Sequence, residues 1–181
     1  MIMRESSKAA LGGIVSALAV VVMLVTYLSP LLVYTAPPLA GILLLLIVNE
    51  IGYRWAFGTY VSISLLSIFF IADKESAVFF TMFFGYYPIL KLFMDGRLHS
   101  RPMRALLKFL IFNVSVAAAI AICVFVFHIP YDDFTESGYV LLCVFWVMLN
   151  FLLVVYDFLI TALQNLYRRK LKEKIRKIFR N

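Results

Sequence analysis

Residues 9–28 form an unbroken run of twenty positions without an Asp, Glu, Lys or Arg. Wound as a helix at about 1.5 Å per residue, such a run crosses the roughly 30 Å hydrocarbon core of a bilayer. It is the first of several. Apolar runs recur along the chain, separated by short stretches where Pro, Gly and charged residues collect. Hydrophobic residues make up 64% of the 181 and charged residues only 15%, and the mean hydropathy is +0.95. A soluble domain of this length could not cover so much apolar surface, whereas lipid leaves it in its preferred solvent. Arg4 and Lys8 ahead of the first run give it the outline of a secretory signal. Its spanning length, and the further runs behind it, point to an uncleaved first helix instead.

The pattern predicts an all-α polytopic membrane protein: a six-helix transmembrane domain over residues 1–167, then a basic amphipathic cytoplasmic tail over 168–181. The expected spans are about 9–28, 37–53, 55–72, 76–94, 105–127 and 138–163. Residues 29–36 read as a loop, with Pro37 and Pro38 in the first turn of helix two, where their missing N–H groups cost little. Gly52 marks a tight turn and Asp73, Lys74 and Glu75 a water-facing one. A polar stretch over 95–104 precedes helix five. A loop over 128–137 carries Pro130, Asp132, Asp133 and Glu136. Orientation follows from where the basic residues fall. Six spans put Arg4, Lys8, Arg54, Arg97, Arg101, Arg104 and the tail on the cytoplasmic side and leave Lys74 alone outside. Both termini are therefore expected in the cytoplasm, whereas five or seven spans would put one basic terminus outside.

The net charge of +7 does not require nucleic acid, because eight of the seventeen Lys and Arg residues lie in the last fourteen positions and most others flank apolar runs. The tail, with Leu171, Ile175 and Ile178 on one helical stripe, suits an anionic inner leaflet, each basic residue contributing about 1 kcal/mol near the surface. Cys123 and Cys143 fall inside apolar runs and read as buried thiols. His99 and His128 are expected on opposite sides of the membrane and so cannot share a metal. There is no HExxH, no Gly-rich phosphate loop and no nucleophile–base pair. The expectation is a protein without enzymatic activity and without a cofactor.

Four sets of residues are candidates for function. Small residues at Ala9, Gly13 and Ala17, with a parallel row at Gly12 and Ser16, follow the four-residue spacing that lets another helix approach closely. The partner is either a helix of the same bundle or a different membrane subunit. Charges inside spans cost roughly 2.5–3.5 kcal/mol at the helix centre on insertion scales. Lys91, Lys108 and Asp157 all fall in the cytoplasmic half, within reach for Asp157 to pair with Lys108 or Lys91. A structural ion pair or a snorkelling lysine is expected ahead of a proton or ion relay. At mid-depth Tyr86, Tyr87, Asn113 and Asn150 either line a polar pocket or bond between helices. At the outer ends Tyr27, Tyr34, Asp73, Glu75, His128, Tyr139 and Trp146 either close over a ligand or anchor the interface as aromatic residues commonly do.

Taken together, the short basic N-terminus, the Ala9–Gly13–Ala17 row, the Pro-containing outer segment before helix two and the turn Gly52-Tyr53-Arg54-Trp55-Ala56-Phe57-Gly58 resemble the substrate-binding S components of energy-coupling factor (ECF) vitamin transporters. The segment Phe84-Gly85-Tyr86-Tyr87-Pro88 and a last helix running into a basic tail fit the same family. The resemblance implies a subunit in the bacterial plasma membrane that captures a small micronutrient from outside, at a site drawing on Tyr34, Glu75, Tyr86, Asn113, Trp146 and Asn150. It implies docking through Ala9, Gly13 and Ala17 on a transmembrane coupling subunit driven by two cytoplasmic ATPases. In that family the docking row usually has Ala at both ends, and here Gly13 stands between two alanines. No residue set marks thiamine, riboflavin or biotin. A non-transporting six-helix scaffold is the main alternative, and an ion or proton carrier using Asp157 or Lys108 is a further one.

Overall fold

The computed structural model describes residues 4–29, 32–98, 100–126 and 138–167, with backbone alone at 123, 124, 138–143 and 145. His99, His128, the side chains of Cys123, Tyr139 and Cys143, the loop 128–137 and the tail 168–181 lie outside the described residues. What is described is helical, without a strand. The elements are α1 (Glu5–Leu24), continued by a 3-10 turn (Val25–Leu28), α2 (Leu32–Glu50), α3 (Tyr53–Phe70) and α4 (Lys74–Phe79). After α4 come a π-helical segment (Phe80–Phe84), α5 (Tyr87–Arg97), α6 (Arg101–Phe125) and α7 (Gly138–Leu166). They form two compact units, residues 1–136 and 137–181. Among the described residues, five stretches are long and apolar enough to cross a membrane: Glu5–Leu28, Leu32–Glu50, Lys74–Arg97, Arg101–Ile122 and Trp146–Leu166.

Within the first unit the helices alternate in direction. Gly12 of α1 faces Thr59 of α3, and fifteen residues on from Gly12 the Tyr27 hydroxyl accepts the backbone N–H of Ala72 at 3.0 Å, so α1 and α3 run parallel. Tyr53, at the start of α3, donates its hydroxyl to the Leu92 carbonyl near the end of α5, while Tyr60 reaches the Thr81 carbonyl. The α4–α5 stretch is therefore antiparallel to α3. Two ion pairs from Asp95 to the start of α6 reverse the direction again.

Helix two departs from expectation. It begins at Leu32 and carries Pro37 and Pro38 inside it, where the segment before Pro37 was expected to be a loop. Its first turn is anchored by the Leu32 N–H on the Ser29 carbonyl at 3.0 Å. Proline's fixed φ is itself helical, so Pro37 and Pro38 continue the helix and only remove two amide donors from its second turn. At its other end the Gly52 N–H closes on the Ile47 carbonyl at 3.0 Å. Gly52 then takes φ +121°, ψ 176°, a conformation open essentially only to glycine. Two residues thus separate α2 from α3.

The expected third helix is present as α3, but its polar content keeps it out of the five spanning stretches. Its Ala56, Thr59, Ile63, Ser64 and Ser67 are buried. Phe57, Val61, Leu65 and Phe69 form an exposed stripe at four-residue spacing. The next turn is also closed locally: the Lys74 ammonium donates to the Ile68 and Ile71 carbonyls at 2.8 and 2.9 Å. A cation there meets the negative end of the α3 dipole.

Between α4 and α5 the backbone widens into the π segment, and the Gly85 N–H bonds the Phe80 carbonyl at 2.7 Å. A Cβ built on Gly85 would stand 2.7 and 2.8 Å from Tyr60 ring carbons and 2.9 Å from the Phe80 carbonyl oxygen. No side-chain rotation relieves the backbone contact. Gly85→Ala is expected to destabilise the protein by about 1–3 kcal/mol through overpacking, read as a lowered unfolding midpoint in lipid nanodiscs. Gly13→Ala, where a Cβ meets nothing within 4 Å, should leave the midpoint unchanged.

Candidate functional site

The two small-residue rows on α1 have separate fates. Gly12 and Ser16 are buried, and a Cβ on Gly12 would stand 3.2 Å from the Thr59 hydroxyl. That row seats α3. Ala9, Gly13 and Ala17 are exposed, and beside them stand exposed Ile14, Leu18 and Val21. One helix therefore carries two close-approach faces, one used within the chain and one presented to its surroundings.

An acid outside the expected Asp157 pair gathers two bases. Asp95 accepts Arg104 at 3.3 Å and Lys108 at 3.4 Å. The sequence reading placed Asp95 in a loop. In the structure α5 runs to Arg97 and α6 starts at Arg101, so the short reversal brings Asp95 opposite two bases spaced four residues apart. An acid in one helix's last turn facing an i, i+4 pair of bases was the available signal. Nearby, the Arg97 guanidinium sits 4.6 Å over the Phe93 ring, which meets Tyr53 edge-on. Lys91 is the one charged side chain buried among the described residues, and it does not stand alone. Asp157 lies on α7, in the second unit, where its carbonyl accepts the Thr161 hydroxyl at 2.9 Å.

The candidate ligand residues separate by depth. Tyr34 and Glu75 come together at one end of the first unit. The Tyr34 ring is 5.7 Å from Phe79 and lies in electrostatic range of the Glu75 and Asp73 carboxylates. Tyr86 lies eleven residues along the α4–α5 stretch from Glu75, about 16 Å deeper along the helix axis. Its hydroxyl is 2.6 Å from that of Ser115 on α6. Asn113 donates its amide to the Phe109 carbonyl one turn back at 2.8 Å, and Asn150 does the same to Trp146 at 3.0 Å. Trp146 and Asn150 belong to α7, an apolar helix whose Val147, Phe151, Val154 and Phe158 are exposed.

Sequence reasoning missed one cluster. Tyr60 donates its hydroxyl to the Thr81 carbonyl at 2.8 Å, and Ser64 lies beside it on the same face of α3. Around it run aromatic contacts, from Phe57 to Tyr60, Tyr60 to Phe80, and Phe79 through Phe83 to Phe112 on α6. The signal was present in the polar content of α3, an 18-residue helix with six Ser, Thr and Tyr residues.

Among the described residues no group of three or more His, Cys, Asp or Glu side chains is placed to hold a metal. No protein-family model, no curated protein and no solved structure matches this chain. Asp95→Asn should lower stability by about 0.5–1 kcal/mol, as expected for a partly exposed pair. The loss should shrink in high salt, which a melting series over ionic strength would measure.

Proposed function

We propose that the chain is the substrate-capturing membrane subunit of an ECF-type transporter, a six-helix bundle of the bacterial plasma membrane with both termini cytoplasmic. The carrying observation is the outward row Ala9, Gly13 and Ala17, since a small-residue stripe left free by the chain's own packing is the geometry a second membrane subunit needs. The sixth span in this reading is α3. Its 18 residues rise about 27 Å, its Ser and Thr hydroxyls at 59, 64 and 67 are buried, and Phe57, Val61, Leu65 and Phe69 face outward as lipid requires. The alternating directions of the first unit's helices agree with N-terminus, α2–α3 turn and α5–α6 turn all on one side. That side carries Arg4, Lys8, Arg54, Arg97, Arg101 and Arg104.

On the opposite side Tyr34, Asp73 and Glu75 offer an aromatic and acidic entrance for a small molecule arriving from outside. Lys74, the single base there, is tied to α3 carbonyls and leaves the acids as the dominant charge. The chain holds no ATPase motif, so the reading assigns energy supply to a coupling subunit and two cytoplasmic ATPases.

Native mass spectrometry of the mildly purified protein is the test. The wild-type chain should carry both a small molecule and co-purifying subunits. Gly13→Trp should lose the subunits while keeping its melting temperature and its small molecule. Gly12→Leu should instead lower the melting temperature. Normal assembly of Gly13→Trp would sink the docking assignment, and a wild-type chain that never carries a ligand would sink the capture assignment.

A further inference from the structure

Three hydroxyls in the first unit are buried without a hydrogen-bond partner from the protein: Ser64 Oγ, Ser67 Oγ and Thr81 Oγ1. Ser64 is 6% exposed and Ser67 fully buried. Ser64 and Ser67 are three residues apart on α3, and with Tyr60 they make one stripe. That stripe meets the π segment, because the Tyr60 hydroxyl donates to the carbonyl of Thr81. The Ser64 hydroxyl lies beside that of Tyr60. The Tyr60 ring is wedged against Gly85, where a Cβ would come within 2.7 Å of it. Tyr86, within electrostatic range of Tyr60, extends the cluster to Ser115.

An unsatisfied hydroxyl in a protein interior costs about 1–3 kcal/mol, and in hydrocarbon no lipid atom can relieve it. Serines in a membrane helix ordinarily turn back onto the carbonyl four residues earlier. Thr59 does so onto Trp55, and Ser62 onto Gly58. Ser64 and Ser67, on the face toward α4, do not. The opposing backbone is a π segment, whose widened turn breaks the regular carbonyl-to-amide ladder, a feature frequent at functional sites. No described carboxylate lies among these hydroxyls, so the cluster is neutral and suits an uncharged donor–acceptor rather than a cation.

We propose that the seam between α3 and the π segment is a built hydration site. Ordered water, the smallest ligand that both donates and accepts, is held around the Tyr60 hydroxyl and satisfies Ser64 and Thr81 together. Buried water in proteins typically makes two to four hydrogen bonds, and here the Ser64 hydroxyl, the Thr81 hydroxyl and the Tyr60 oxygen supply three groups. Ser67, one turn further along α3, continues the polar stripe. The water bridges two helices at the one place where the fourth apolar stretch departs from α geometry, so it fixes the π segment in register against α3. This assignment does not depend on the transport reading, since it concerns only how a bulge in lipid is kept satisfied.

Synchrotron radiolysis footprinting of the full wild-type chain in lipid nanodiscs tests it directly, because hydroxyl radicals generated from bound water oxidise neighbouring side chains even when these are buried. Phe80, which is fully buried, should be modified well above Phe112, a buried ring on α6. Background labelling at Phe80 would overturn the proposal. A thermal double-mutant cycle supplies the second arm. With a shared water, Ser64→Ala and Thr81→Val each lower the unfolding midpoint, and the double variant loses less than the sum. A midpoint that rises on Ser64→Ala would show a dry, unsatisfied hydroxyl, and strictly additive losses would show two unlinked groups. Either result would overturn the shared-water site.

Discussion

Lipid supplies no hydrophobic force between helices, so cohesion inside a membrane comes from close contact and from hydrogen bonds that hydrocarbon cannot replace. The first unit of this protein is built on that constraint. Its contacts run through small residues: Gly12 and Ala19 on α1, Ala36, Ala40 and Gly41 on α2, Ala56 on α3 and Ala77 on α4 are all buried. Larger side chains fill the spaces these leave, with Met23, Leu44, Ile47, Ile63 and Phe80 fully enclosed. The long aliphatic and aromatic residues left over, such as Ile14, Phe69 and Val114, point outward.

The same constraint explains how irregular backbone is tolerated. Each departure from a plain helix comes with a local remedy. The Gly52 amide closes α2, the Lys74 ammonium caps α3, and the Tyr60 hydroxyl takes the Thr81 carbonyl within the π segment. Tyr60 is the most connected of these remedies. It keys α3 into the widened turn by its ring against Gly85 and by its hydroxyl on the opposite backbone, so one side chain sets both the spacing and the register of the two helices.

Functional polarity is distributed along the axis. One end of the first unit gathers Asp73, Glu75 and Tyr34, and the other gathers Asp95, Arg97, Arg104 and Lys108. The middle is neutral and hydroxyl-bearing, through Tyr60, Ser64, Thr81, Tyr86 and Ser115. Charge therefore collects at the two ends of this unit and hydrogen bonding in its middle. The free small-residue stripe on α1 adds a lateral face suited to another helix.

Much of this was legible in the chain itself. Apolar runs longer than a bilayer is thick leave helix as the one backbone form that satisfies every N–H and C=O, so the helical class and its approximate spans needed no tertiary information. Gly52 announced its turn because few other residues reach its dihedral angles, and Asp73 to Glu75 announced theirs by charge. The tertiary structure decided what depends on facing. Ala9, Gly13 and Ala17 differ from Gly12 and Ser16 by a rotation about α1, and only the position of α3 determines which row is occupied. Pro37 and Pro38 looked like a helix start because their own chemistry permits it. The turn from Ser29 onto Leu32 starts the helix earlier, and proline's helical φ lets it run on through them. Asp95 meets Arg104 and Lys108, and Tyr60 keys the π segment, through contacts made across helices, and packing sets which of these form.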